Sequence, residues 1–351
     1  MGSLNRRQFL KSSFLGGMAL TTPFGFDFKH INGKSSSEYT SQVGLTTGDH
    51  RADMAFRALQ PFSEQIKKGI GNKRVVIKPN NVLIDRQLAA THVDHLEGIL
   101  EFLKSIGVHE NIVIAESAAS GATFDGFDNY KYFDLPKKYP VNLVDLDQEK
   151  YELIHVFDEK DFRPHPVRTS SLILDPDTYV ISAAKFKTHD RVLATLSLKN
   201  IVFGAPIKDP GFSWGKNRKA GTKNDKPIGH GSGFRAINYN TFSMAKLLHP
   251  DLSVIEGFEG MEGNGPNWGT PVDHRVCVAG TDWLASDRVA VELMGIDFAN
   301  VGYLNYCADA GMGEGDLSKI QILGEELNDH IRSYELNDNI EKQLIWKQPP
   351  G

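Results

Sequence analysis

Apolar and polar positions alternate along residues 51–325 in blocks of strand and helix length. "KRVVIKP" (73–79) is short, β-branched and stopped by proline, which predicts a buried strand. "THVDHLEGILEFLKSIG" (91–107) puts Leu96, Ile99, Leu100 and Leu103 at helical spacing, behind a capping Thr91 and before a terminal glycine. "NIVIAES" (111–117) reads as the next strand. Strand, helix and strand in this order form a βαβ unit, which implies a parallel sheet with helices on its faces.

The pattern recurs. "MAFRALQPFSEQIKKGI" (54–70) has helical spacing, and "VNLVDLD" (141–147), "YELIHVF" (151–157), "SLIL" (171–174) and "TYVISAA" (178–184) are strand candidates. "LSVIEGF" (252–258) and "HRVCVAG" (274–280) resemble buried α/β strands. "TDWLASDRVAVELMG" (281–295) predicts a helix capped by Thr281 or Asp282, and "YLNYCADAGMG" and "SKIQILG" suggest one more helix and strand. The expected fold is α/β, a mostly parallel sheet with helices on both faces in three layers. The domain boundaries expected are 51–335, with a polar linker over 31–50 and a C-terminal tail over 336–351. Residues 205–231 break the pattern: six Lys/Arg against two Asp, five glycines and three prolines, with no periodicity. A segment of that length inside a domain reads as a basic loop insertion, either a lid over an anionic ligand or a solvated loop.

At the N-terminus, "NRRQFLKSSFLGGMALTTPFGF" sets Arg6-Arg7 before a short, weakly apolar stretch. This resembles a twin-arginine export signal over residues 1–30, with the translocase as a transient partner and the periplasm as destination. A basic arm before a marginal helix is the plain alternative. Pro23 and several glycines cut the apolar run short of the ~20 residues that a membrane span needs. No cysteine follows it, which argues against a lipid anchor, and an uncleaved signal would tether the protein to the membrane.

Composition narrows the partners. With 351 residues, 40% hydrophobic and 24% charged, the chain can bury a large core. Its net charge of −5 gives no reason to expect nucleic acid. Cys277 and Cys307 are too few for a self-contained iron–sulfur cluster and read as buried thiols.

Four places carry candidate chemistry. In "IKPNN" (77–81), Lys78 and Asn80 close a strand where open α/β sheets place their ligand crevice. In "AES" (115–117), Glu116 would neighbour Lys78 as a structural ion pair, a support for a metal ligand, or an acid/base couple. "FKTHDRVLATLSLKN" (186–200) is polar in a buried context. There Thr195, Ser197 and Lys199 alternate as on a strand, while Arg191, Thr195 and Lys199 are spaced as on a helix. Either way Lys187, His189, Thr195, Lys199 and Asn200 suggest a lined pocket facing an anionic group. In "IEGFEGMEGNGPNWGTP" (255–271), Glu256, Glu259 and Glu262 flank glycines and, with His189 or His230 nearby, could hold an oxygen-preferring divalent metal, Glu259 and Glu262 foremost. No HExxH motif or Cys/His spacing supports a defined metal site.

These stretches, with "THVDHLEGILEFLKSIGVHENIVIAES" and "AGTDWLASDRVAVELMGID", resemble the DUF362 family in order over roughly residues 73–325. The "KTH…LSLKN" and "MEGNGP" elements are the specific ones. The resemblance implies no transferable reaction. The family's association with iron–sulfur proteins reflects an appended cysteine cluster absent here. Its Lys-Asn-x-x-x-Gly end is similar, at the level of architecture, to lactate-racemase-like proteins. Two expectations follow. One is a metal- or cofactor-assisted enzyme acting on a small carboxylate or phosphate, with Lys199, His189 or Glu116 moving protons and Lys78, Asn80, Lys187, Thr195, Asn200 and His230 binding substrate. The other is an exported accessory protein that binds an anion or cofactor without turnover.

Overall fold

The computed structural model describes residues 39–214 and 219–348. The expected export signal lies outside these residues. The first half of the fold holds β1 (Ser41–Thr47), α1 (Arg51–Leu59), α2 (Ser63–Ile70), β2 (Arg74–Pro79), α3 (Val93–Ser105), β3 (Ile112–Glu116), α4 (Thr123–Asn129), β4 (Val141–Asp145), β5 (Tyr151–Phe157) and β6 (Pro164–Ser170). The second half holds α5 (Ser171–Leu174), β7 (Thr178–His189), β8 (Leu193–Ala194), α6 (Leu196–Val202), α7 (Lys226–His230), α8 (Phe234–Ala245), β9 (Leu252–Glu262), β10 (Thr270–Gly280), α9 (Trp283–Leu293), α10 (Gly302–Asp309), β11 (Ile320–Gly324) and α11 (Ile340–Gln343).

The main sheet runs in the order β11-β1-β10-β9-β7-β2-β3-β4, and β8 pairs with the end of β7. Only β10 opposes its neighbours; the other pairings along this path are parallel. Side chains alternate between two cores, as the period of two requires. Val75 and Ile77 join Tyr179, Ile181 and Ala183 in a core closed by α1, α2 and α3. Val76 joins Val180, Ala184 and Phe186 in the other, closed by α6, α8, α9 and α10. A one-residue slip of β2 or β7 would exchange the two sets, so burial on both faces fixes the register. The three-layer α/β expectation holds.

Several local expectations change. The 31–50 segment contains β1, which pairs with both β10 and β11, so the sheet begins before residue 51. Thr91 does not cap α3. His92 is the capping residue and its Nδ1 accepts from Asp94 N, while Thr91 Oγ1 donates to Ala183 O at 2.7 Å and ties the α3 entrance to β7. "SLIL" is the short helix α5, and β5 pairs with β6 in a separate two-stranded sheet. Residues 336–348 of the expected tail pack back: Gln343 is fully buried and its Oε1 accepts from Leu193 N at 2.7 Å. Cys277 and Cys307 are free, buried and in opposite cores. Among the described residues no helix is long and apolar enough to cross a membrane.

Candidate active site at the sheet switch point

Strand order reverses between β2 and β7, because the chain continues from β2 to β3 and β4 on one side and from β7 to β9 on the other. Open α/β sheets leave a crevice outside the carboxyl ends of the strands at such a point. Here a cavity of about 350 Å³ opens there.

Its floor is a satisfied polar network. Lys78 Nζ donates to Glu116 Oε2 at 2.8 Å, Pro79 O at 2.9 Å and Asn200 Oδ1 at 3.3 Å, which uses all three ammonium hydrogens. Glu116 Oε1 accepts from Ser117 N at 2.8 Å. Asn200 Nδ2 donates to Lys78 O and Ser182 Oγ, both at 3.1 Å, and its Oδ1 also accepts from Asn80 Nδ2 at 3.1 Å. Asn80 Oδ1 in turn accepts from Lys187 Nζ at 2.6 Å, and Lys187 also donates to Ala89 O at 3.0 Å. Burial lowers the Lys78 pKa and the Glu116 charge opposes that shift. Gly204 completes the floor: a Cβ there would lie 2.0 Å from Lys78 Cε and 2.2 Å from Asn200 O. This explains the Lys-Asn-x-x-x-Gly spacing of 199–204 as steric clearance for Lys78.

The wall above the floor is different. Lys199 is 5% exposed, and its Nζ lies 4.9 Å from the centroid of the Phe203 ring, with no hydrogen bond or ion pair among the described residues. Burial pulls its pKa down to about 7; Asp190 pushes it back up and Arg191 lowers it further. His189 and His230 face each other with Nε2 atoms 3.1 Å apart, and His189 Nδ1 accepts from Arg191 N at 3.0 Å. Burial, then the Lys199 charge, holds both imidazoles well below their ordinary pKa. Asn81 Nδ2 and Oδ1, Asp190 Oδ1, Thr195 Oγ1 and Asn267 Oδ1 are buried without a hydrogen-bond partner among the described residues, and all four residues line this cavity. Each such atom costs about 1–3 kcal/mol if nothing fills its valence, so their convergence marks a place built to receive a polar ligand.

Charge indicates the sign of that ligand. With Lys78 and Glu116 paired, the lining retains Arg191, Lys199 and Lys226 against Asp190. Lys226 is structural: burial pulls its pKa down to about 7, and its Nζ donates to Phe203 O at 3.4 Å, Gly204 O at 2.9 Å and Pro206 O at 2.5 Å, just past the carboxyl end of α6. The backbone is also strained here. Leu193 and Leu196 have φ of 65° and 48°, values a bulky residue adopts only when surrounding contacts impose them. Asp287 imposes one, its two oxygens accepting from Ser197 N at 2.8 Å and Leu198 N at 3.0 Å.

The structure gathers Lys78, Asn80, Glu116, His189, Thr195, Lys199, Asn200 and His230 around the cavity. Arg191, Thr195 and Lys199 face it although only Lys199 lies within α6, and Ser197 bonds Ser253 Oγ at 2.6 Å instead. Lys187 is absent from the lining and supports Asn80 from below. Glu259 and Glu262 also lie outside the lining. Glu259 pairs across from Asp273 on β10, and Glu262 Oε2 accepts from Glu335 N at 2.9 Å. The potential metal-holding group among the described residues is His189, Asp190 and His230.

The basic 205–231 segment is partly built structure, with residues 215–218 outside the described set. Arg168 bonds Asp225 at 2.9 Å and Asp209 at 2.6 Å, Phe212 is buried, and Lys208 is buried against Asp147. The sequence reading missed Asp190, Asn81, Asn267 and Asp287 as site-builders. The first three stood inside motifs it had singled out, but no local pattern distinguishes them from turn residues.

The chain is similar to a thylakoid-associated protein of Synechocystis sp., 25% identical over 264 residues that cover 73% of this chain and 75% of that protein. No solved structure matches it. The family described as "Domain of unknown function (DUF362)" matches residues 75–292, from β2 into α9 and so across most of the cavity wall, and the chain belongs to that family.

Proposed function

We propose that this protein is an enzyme that binds a small carboxylate or phosphate in the cavity at the β2–β7 switch point and moves a proton on it through Lys199, assisted by a divalent cation. The observation that carries the reading is Lys199 itself: a buried amine with no ion-pair partner among the described residues, beside orphaned hydrogen-bonding atoms. A lysine with a pKa near 7 exchanges protons with substrate at neutral pH more readily than an ordinary one. Arg191 on the same wall offers a fork that suits a carboxylate or phosphate. A bound cation would polarise the ligand oxygen. Export by the twin-arginine route to the periplasm belongs to the same proposal and rests on Arg6-Arg7.

Isothermal titration with inorganic phosphate and with acetate tests it. Wild-type protein is expected to bind one of these anions at pH 7, and Lys199→Met to lose at least tenfold in affinity while melting no lower than wild type. Equal affinity in the two proteins would remove Lys199 from the site.

A further inference from the structure

We propose that His189 and His230 are the ligands of a borderline divalent metal ion of the zinc or cobalt(II) kind, that Asp190 orients His189, and that an anion in the cavity completes the coordination. The last part rests on the preceding reading; the first two do not. Two nitrogens on one tetrahedral ion at ~2.0–2.1 Å stand roughly 3.3 Å apart. The two Nε2 atoms here stand 3.1 Å apart, with ring centroids at 5.0 Å.

The tautomers carry the argument further. His189 Nδ1 has a donor on one side, Arg191 N at 3.0 Å, and an acceptor on the other, Asp190 Oδ1 at 3.2 Å. When Nδ1 accepts from Arg191, Nε2 carries the proton and donates to His230. When Nδ1 carries the proton, the bond from Arg191 N is given up and the acceptor beside it is Asp190 Oδ1, a buried oxygen with no hydrogen-bond partner among the described residues. With both Nε2 atoms unprotonated their lone pairs repel across the 3.1 Å gap, and a cation ~2.0–2.1 Å from each nitrogen, to one side of the line that joins them, turns repulsion into ligation. A carboxylate behind a ligating imidazole is the usual way of fixing its tautomer and raising its basicity. Two imidazoles select a nitrogen-preferring ion over the oxygen-preferring one that Glu259 and Glu262 suggested.

Two protein ligands leave half of a tetrahedral set open toward the cavity. Thr195, 4% exposed, and Asn81, 3% exposed, contribute unpartnered polar atoms to the same space. Arg191 and Lys199 would repel a bare dication, so an anion that neutralises them should tighten the metal, and the metal should tighten the anion by the same factor.

The test uses the full chain, stripped of metal and titrated with cobalt chloride, first alone and then with inorganic phosphate. One cobalt per chain is expected, with visible absorption of a four- or five-coordinate site, displaced by zinc and bound at least tenfold more tightly with phosphate. His189→Gln and His230→Gln should each abolish the colour, and Asp190→Asn should weaken binding by about 10–100-fold. X-ray absorption of the wild-type cobalt complex reads the ligands without any substitution, and two imidazoles are expected. Wild type that is folded by near-ultraviolet circular dichroism yet takes up no cobalt in either buffer overturns the site, as does a first shell without imidazole. Phosphate binding to metal-free protein that is lost in Lys199→Met would leave the anion reading standing after such a failure. Stoichiometric cobalt uptake indifferent to phosphate would keep the two histidines and overturn the coupling.

Discussion

Lys78 and Lys199 are both buried lysines at the carboxyl edge of one sheet, and their surroundings assign them opposite roles. Lys78 has Glu116, Pro79 O and Asn200 to receive its hydrogens, so it belongs to the floor. Breaking that pair strands a buried charge, and Glu116→Gln is expected to cost roughly 3–5 kcal/mol in urea unfolding, with Lys78→Met in the same chain restoring most of it. A double variant no more stable than the single one would show that the pair is not what the network depends on. Lys199 has no such partner, and its pKa near 7 makes its effect on stability depend on pH. Its folded value lies below its unfolded one, so the unfolded chain binds more protons between about pH 7 and pH 10.5. The destabilisation is complete below that window and fades as pH rises through it, by up to roughly 1.4 kcal/mol per pH unit. Lys199→Met should therefore exceed wild type in stability most at pH 7 and converge with it near pH 10, with Asp190, Arg191, His189 and His230 unchanged around it. A difference independent of pH would mean that Lys199 titrates normally.

At the scale of elements, α6 is short and enters through a strained turn, so it depends on contacts from distant parts of the chain. Asp287 on α9 holds its first amides, Gln343 on α11 holds the turn at Leu193, and Lys226 holds the Phe203 and Gly204 carbonyls that follow it. The segment that supplies Lys226 is itself pinned through Arg168 to Asp209 and Asp225. An unstructured insertion could be shortened with little effect, because loop-closure entropy changes slowly with length. This one should not tolerate it. Replacing 209–226 by a short Gly/Ser link is expected to lower the melting temperature by several degrees at least, and Arg168→Met to speed proteolysis within the segment. A wild-type melt after the deletion would show that Lys226 and Phe212 contribute nothing to the core.

At the scale of the molecule, the switch between β2 and β7 brings chemistry from residues 78–81, 116, 189–200, 226–230 and 266–267 to one cavity. The proposed export to the periplasm rests separately on Arg6 and Arg7. Replacing both by lysine should leave the protein in the cytoplasm on fractionation, since paired guanidinium groups are not mimicked by ammonium; unchanged export would sink the twin-arginine proposal.

The strands around Val75–Ile77, Ile112–Ile114 and Tyr179–Ala184 were legible because their apolar character follows from burial on both faces of a parallel sheet, a property each segment carries alone. The α3 and α9 helices were legible for the same reason, from the spacing of their apolar residues. So was the buried context of the polar 186–200 stretch that carries His189 and Lys199. That Glu116 neighbours Lys78 followed from the order of consecutive parallel strands, but the roles of the other buried polar groups were not legible. Lys187 was expected to face a ligand and lies beneath Asn80, and Glu259 and Glu262 were expected near a metal and stand outside the cavity. The 31–50 stretch, polar and Ser/Thr-rich, hid β1, whose strand state depends on pairing with β10 and β11 from the far end of the chain. Local periodicity is set within a segment by 3.6 residues per helical turn and two per strand repeat, so the sequence by itself determined layers, strands and the polar character of their ends. The partner of a buried charge is set by which strand ends the sheet order brings together, and that only the tertiary structure decided.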